Sequence, residues 1–246
     1  MNVSRHNEEI QKNLLSWDKK PVLQKVYRDF YQLISTELSN LPKLKIVELG
    51  SGIGNIRDVI PNCIQTDLFP NPWIDEVENA YELSFKDNSI SDLILFDVFH
   101  HLRYPGTALK EFKRVLAPNG HIIIFDPAVS LIGMIAYGMF HPEPIAYTKP
   151  IVWFSPPNWT PDNTDYYAAQ GNATRIFSGK KYKEMLNDLK VIKFKKLSAI
   201  SYVVSGGYSK PQLYPDNLYP LIKLFDRFCD LFPILFSTRL IVVLKK

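Results

Sequence analysis

The residues whose types and spacing could do chemistry are Glu48, Gly50, Gly52 and Gly54 in Ile46-Val-Glu-Leu-Gly-Ser-Gly-Ile-Gly54, Asp67 nineteen positions after Glu48, and the adjacent pair His100 and His101. An acid near the end of an apolar strand, followed by glycines at alternate positions, describes a tight strand-to-helix turn. Residues without a Cβ let the backbone there pass close to a ligand. A carboxylate at the end of the next strand has two accepting oxygens for the two hydroxyls of a ribose. The pattern suggests a nucleotide-like cofactor over the first turn of an α/β sheet. Imidazole titrates near neutral pH, so either histidine could act as a base. A dinucleotide fingerprint would need a glycine three residues after Gly52, where Asn55 stands, which argues against a nicotinamide oxidoreductase.

These groups need strands and helices to hold them. Apolar runs at Lys45 to Leu49, Cys63 to Asp67, Leu93 to Phe96 and His121 to Phe125 read as buried strands, with a short helix from Asn55 and a longer one over Gly106 to Leu116. Alternation of strands and helices predicts a Rossmann-like, doubly wound α/β fold, with a mostly parallel sheet and helices on both faces. Residues 8 to 38 carry a helical stripe of Leu23, Val26, Phe30, Leu33, Ile34 and Leu38. After Asp126-Pro127 the rhythm breaks into an insertion following strand five, rich in aromatics and prolines, as lids and binding segments often are. Sheet-like sequence returns at Val191 to Leu197, where Lys193 and Lys195 look like the solvated side of an edge strand, and at Arg239 to Leu244. Between them, Leu221 to Phe232 has its polar residues Lys223, Asp226, Arg227 and Asp230 on one stripe. The default expectation is that its apolar remainder packs on the sheet; a homodimer contact comes next, and a peripheral membrane contact last, because the stripe is charge-balanced rather than basic. The chain divides as one domain: N-terminal helices (1–42), cofactor-binding core (43–127), insertion or lid (128–178) and sheet completion (179–246).

The 246 residues carry a net charge of +4 and 46% apolar residues, an ordinary globular composition without the concentrated basic face of a nucleic-acid binder. No apolar run reaches the roughly 20 residues that span a bilayer. Two widely separated cysteines, Cys63 and Cys229, and a polar N-terminus fit a cytoplasmic protein, and no metal-ligand spacing is visible.

The glycine turn is followed, in order, by Ala80-Tyr-Glu-Leu-Ser-Phe-Lys-Asp-Asn-Ser-Ile-Ser-Asp92, Asp97-Val-Phe-His-His-Leu102 and Arg114-Val-Leu-Ala-Pro-Asn-Gly-His-Ile-Ile-Ile-Phe-Asp-Pro127. From about Leu44 to Pro127 the chain resembles the class I S-adenosylmethionine-dependent methyltransferases, the type 11 methyltransferase domain. The resemblance implies S-adenosyl-L-methionine as cofactor and methyl transfer to a small-molecule acceptor; a sugar, a lipid-linked intermediate and a natural-product intermediate all stay open, as does a methyltransferase-like scaffold without activity. It implies that Glu48, Gly50, Ser51, Gly52 and Gly54 hold the methionine part, with turn amides facing its carboxylate. Asp67 would bind the ribose, Leu68 would lie beside the adenine, and Asn79-Ala80-Tyr81 would contact the adenine amino group. Asn79 stands where the family usually has an acid. Asp97 and Val98 would lie near the reactive methyl group. The span from Asp67 to Asn79 leaves no room for the family's usual helix and strand, so Pro70 and Pro72 predict a loop there.

Methyl transfer needs a base only if the acceptor must lose a proton, and His101, with His100 second, is the candidate. His141 and Glu143 in the insertion are further candidates. Ser155-Pro156-Pro157-Asn158-Trp159 is set aside as a proline-stiffened loop, because an amino-methyltransferase motif would directly follow the fourth strand.

Overall fold

The computed structural model describes residues 3–140, 145–163, 167–186 and 188–246. His141 and Glu143 lie outside the described residues. One seven-stranded sheet organises the chain: β1 (Lys45–Leu49), β2 (Cys63–Asp67), β3 (Glu76–Val77), β4 (Ile90–Phe96), β5 (Leu116–Pro127), β6 (Lys190–Leu197) and β7 (Arg239–Lys245), in the order β3-β2-β1-β4-β5-β7-β6. The pairs from β3 to β5 are parallel, whereas β7 runs antiparallel to both neighbours. The parallel strands therefore all end on one side, the place where open α/β sheets bind ligands. Because β7 is reversed, its first residue, Arg239, pairs with Pro127 at the last position of β5.

Side chains alternate across the strands and feed two cores. Leu93, Leu95, Ile122, Ile124 and Val242 face α3 (Pro105–Val115) and part of the insertion; Ile94, Phe96, Ile123, Phe125 and Val243 face the N-terminal helix α2 (Pro21–Ser35). Each fully buried aliphatic or aromatic side chain contributes roughly 1.5–3 kcal/mol. Helix α1 (Val3–Lys19) precedes α2, whose stripe of Leu23, Val26, Phe30 and Ile34 is buried, as its helical spacing predicts. Tyr27 of α2 stacks on Phe96 with ring centroids 5.2 Å apart.

Three sequence expectations need correction. The span between Asp67 and Asn79 has no helix but does retain the two-residue strand β3, long enough to pair Thr66 with Glu76 and Asp67 with Val77. The insertion is more ordered than its irregular pattern suggests, with α4 (Leu131–Phe140) and α5 (Asn172–Phe177). α4 is apolar on all sides, which erases the periodicity that would reveal a helix. The third correction concerns α6 (Ile200–Ser205), α7 (Tyr219–Cys229) and α8 (Pro233–Phe236). The Leu221 to Phe232 stretch does not pack most of its apolar stripe on the sheet: Asp226 is buried and Lys223 and Asp230 are partly buried, Arg227 is exposed, and Leu221, Leu224, Phe225 and Phe228 are exposed. Strand β6 is an edge of the sheet, as its lysines suggest, but the expected alternation is broken by a register shift: Ile192 is exposed while Lys193 is partly buried and pairs with Glu37.

Candidate cofactor and active site

The turn after β1 is built from left-handed backbone. Gly50, Gly52 and Gly54 have φ of 71°, 54° and 75°. A Cβ on Gly50 would come within 2.4 Å of Val98 Cγ2, so a glycine there lets the turn lie against the loop after β4. A Cβ on Gly52 would meet nothing within 4 Å. The backbone at Gly52 thus borders open space that a ligand can approach and a side chain would begin to fill.

Hydrogen bonds tie the turn to β2. Ser51 N donates to Thr66 O (2.9 Å), Thr66 Oγ1 to Glu48 O (2.9 Å), and Gly52 N to Asp67 Oδ2 (3.1 Å). Leu68 N donates to the other Asp67 oxygen at 2.7 Å. The amides of Ser51 and Gly52, expected to face a ligand carboxylate, instead fix Asp67 and β2 in place. These bonds hold the Asp67 carboxylate, an acceptor for hydroxyl donors, at the carboxyl end of β2.

Glu48 is buried, and its Oε2 has no hydrogen-bond partner. Burial pushes its carboxyl up to about 7, against the opposing pull of hydrogen bonds from Ser51 and from Tyr31 of α2; the nearby Asp67 charge adds to the rise. A buried acid with an orphan oxygen at the edge of a ligand space suits a cationic ammonium group, which would favour its ionised form.

The Asn79-Ala80-Tyr81 segment closes the same end. Asn79 Oδ1 accepts from Tyr81 N (3.1 Å), and its Nδ2 donates to Pro161 O in the insertion (3.1 Å). One acceptor position of the Asn79 oxygen is therefore already used. Tyr81 and Tyr104 each pack edge-on against Trp159 of the insertion, at 4.9 and 5.1 Å. The proline segment itself forms a turn, with Trp159 N donating to Pro156 O.

The loop after β4 brings the histidines to the strand ends with ring centroids 4.1 Å apart but gives them different partners. His100 is buried, its Nδ1 2.9 Å from Asp126 Oδ1 on β5. His101 is partly exposed, and its Nδ1 lies 2.8 Å from Tyr167 O. A carbonyl only accepts, so Nδ1 of His101 carries a proton.

Sequence reasoning missed two residues of this site, Arg239 and Asp126, while Asp97 was expected here. Asp97, in left-handed backbone with φ of 56°, forms an ion pair with the fully buried Arg239 of β7. The Arg239 guanidinium also lies over the Tyr202 ring, 4.3 Å from its centroid. Burial opposes its charge, but Asp97 and the surrounding tyrosines outweigh that and keep it a cation. Asp126, the partner of His100, is the other; burial raises its carboxyl pKa while the His100 interaction opposes the rise. A charged residue at the end of an otherwise apolar strand was the available signal for both.

Residues 47–124 match the methyltransferase domain family model. The chain carries a class I methyltransferase domain. Solved methyltransferase structures share its fold: an S-adenosylmethionine-dependent enzyme from Archaeoglobus fulgidus (12% identity, TM-score 0.53, covering 91% of this chain and 94% of that one). Another from Thermotoga maritima has 13% identity and a TM-score of 0.52, covering 96% and 98%. Geranyl diphosphate C-methyltransferase from Streptomyces coelicolor has 10% identity and a TM-score of 0.52, covering 88% and 75%. No curated protein sequence matches the chain. The cofactor of this methyltransferase domain is S-adenosylmethionine, and the orphan oxygen of Glu48, the open space at Gly52 and the tethered Asp67 fit its ammonium, backbone and ribose.

Proposed function

We propose that this methyltransferase alkylates a small acceptor held between the carboxyl ends of β4 and β5 and the 128–178 segment, which acts as a lid. The observation that carries this reading is that the Glu48 orphan oxygen, the open face of Gly52, Asp67 and the His101 loop all lie at the carboxyl ends of neighbouring parallel strands. S-adenosylmethionine supplies an electrophilic methyl group on a sulfonium. The chain's own contribution is alignment and exclusion of water. Glu48 and Asp67 orient the cofactor from its two ends, while Asn79, Tyr81 and Trp159 join the lid to the adenine side.

His101 is the candidate base for a hydroxyl acceptor, its tautomer fixed by the Tyr167 carbonyl. His100 is the less suited of the pair: with its ring buried against Asp126, it braces the loop that carries His101. Asp97 and Val98 border the methyl position.

The small-molecule class is supported by the Streptomyces coelicolor relative, a geranyl diphosphate C-methyltransferase. The apolar residues beside the lid favour a lipid-linked acceptor over a free sugar. No described helix is long and apolar enough to cross a membrane, and exposed apolar helices favour a peripheral membrane contact over a homodimer. The buried free cysteines support a reducing cytoplasm as the compartment.

The test is transfer of radiolabelled methyl from S-adenosylmethionine into extracts of cells lacking the gene, partitioned between organic and aqueous phases. Label is expected in small molecules of the organic phase. Cofactor binding with no label in any fraction would leave a methyltransferase-like scaffold.

A further inference from the structure

Helix α7 is mounted with its amphipathic faces exchanged. Its polar residues serve as internal anchors: Asp226 accepts hydrogen bonds from the backbone and hydroxyl of Ser201, Asp230 accepts from Ser198 N at 2.7 Å, and Lys223 pairs with Asp29 at 3.1 Å. Ile222 and Cys229 pack inward, but most of the apolar residues point away from the protein. Leu221, Leu224, Phe225, Phe228, Leu231 and Ile234 are between 47% and 79% exposed. A water-facing helix has no reason to bury its charges and expose its leucines unless something apolar covers it.

The face continues onto α8 and from there onto α4, which α8 contacts and whose Leu131, Met134 and Ile135 are exposed as well. At roughly 100 Å² per side chain, these nine residues exceed the roughly 300–600 Å² of an ordinary monomer's largest apolar patch. α4 begins four residues after Pro127, the end of β5, so the face adjoins the side of the sheet where the site lies.

Charge selects among the occupants. The acids of α7 are turned inward and engaged, whereas Arg227 is exposed, and Lys195 and Lys196 stand on the edge strand β6 that contacts α8. The outward aspect is thus apolar with a basic rim, which matches hydrocarbon beneath anionic headgroups. In a symmetric dimer each copy would bring the same basic rim to the shared contact. We propose that α4, α7 and α8 form a docking face for an anionic phospholipid bilayer, and that a lipid-linked acceptor reaches the site from it. The second clause rests on the methyl-transfer reading; the first does not.

Flotation with vesicles of phosphatidylcholine and phosphatidylglycerol, against phosphatidylcholine alone, tests the docking face, with S-adenosylhomocysteine calorimetry run on the same samples. Wild type is expected to float with the anionic vesicles. Leu224→Glu with Phe228→Glu, both on the surface, is expected to reduce partitioning at least ten-fold while binding S-adenosylhomocysteine as wild type does. Arg227→Gln is expected to weaken anionic-vesicle binding roughly five-fold. Wild type that stays unbound, or flotation indifferent to the double substitution, overturns the proposal. A concentration-dependent dimer dispersed by the double substitution, without flotation, assigns the face to a second copy and overturns it too. Flotation without S-adenosylhomocysteine binding would sustain docking and remove the methyl-transfer reading; binding without flotation would do the reverse.

Discussion

The Nδ1 of His100 lies 2.9 Å from Oδ1 of Asp126, with both side chains sealed from solvent. This contact joins the loop after β4 to the end of β5. Together with the half-buried Asp97 and the buried Arg239 it forms a polar group at the carboxyl edge of the sheet. Such a network specifies a loop conformation only while every charge keeps its partner. It holds the segment that presents His101.

Arg239→Met should therefore destabilise the protein by roughly 1–3 kcal/mol, because it leaves the half-buried Asp97 carboxylate without its partner. Adding Asp97→Asn should recover part of that loss. Urea unfolding of both variants checks this; additive losses would mean that the two residues do not act as a pair.

Gly50→Ala and Gly52→Ala should separate stability from binding. At Gly50 the added methyl collides with Val98 in left-handed backbone, and a loss of roughly 2–4 kcal/mol is expected. At Gly52 the space is open, so the expected loss is only about 1 kcal/mol, but cofactor affinity should fall at least ten-fold. Thermal melts and calorimetry on each variant distinguish the two.

Glu48 sets a pH dependence whose sign can be worked out. Its carboxyl rises from 4.5 to about 7 on folding, chiefly through burial. Below pH 4.5 it is protonated in folded and unfolded chains alike, and its contribution to stability is intact. As pH rises through 7 the folded state must ionise a buried acid, and on the order of 3 kcal/mol is lost. The cofactor-free protein should lose stability from this group between pH 4.5 and 7.5, an effect absent in Glu48→Gln. Affinity for a ligand bearing an ammonium group should rise over the upper part of that range, with proton release detectable in buffers of different ionisation enthalpy.

For His101→Gln, turnover on a hydroxyl acceptor should fall 10²- to 10⁴-fold with cofactor affinity nearly unchanged. Steady-state kinetics beside calorimetry provide the check. Unchanged turnover would leave His101 as a wall of the site.

Much of this was legible from short-range pattern. The glycines after Glu48, the acid closing β2 and the His100-His101 pair each sit within a few residues of the strand that places them, so local periodicity was enough to set them at the carboxyl ends of the strands. Arg239 was not legible. Its partner Asp97 is 142 residues away, and the two meet only because β7 runs antiparallel beside β5. Asp126 was read only as the end of a strand, since its role depends on the loop of a neighbouring strand. The face of α7 was misjudged for a related reason: helical spacing separates a polar stripe from an apolar one but does not say which of them turns inward.

Titration calorimetry with S-adenosylhomocysteine on wild type and Asp67→Asn tests the cofactor site most directly. Wild type should bind one equivalent, and Asp67→Asn should bind at least ten-fold more weakly while retaining its fold, with NAD giving no heat for either. No binding by the folded wild type, or equal binding by the two proteins, would contradict a cofactor site at the Gly50 to Gly54 turn.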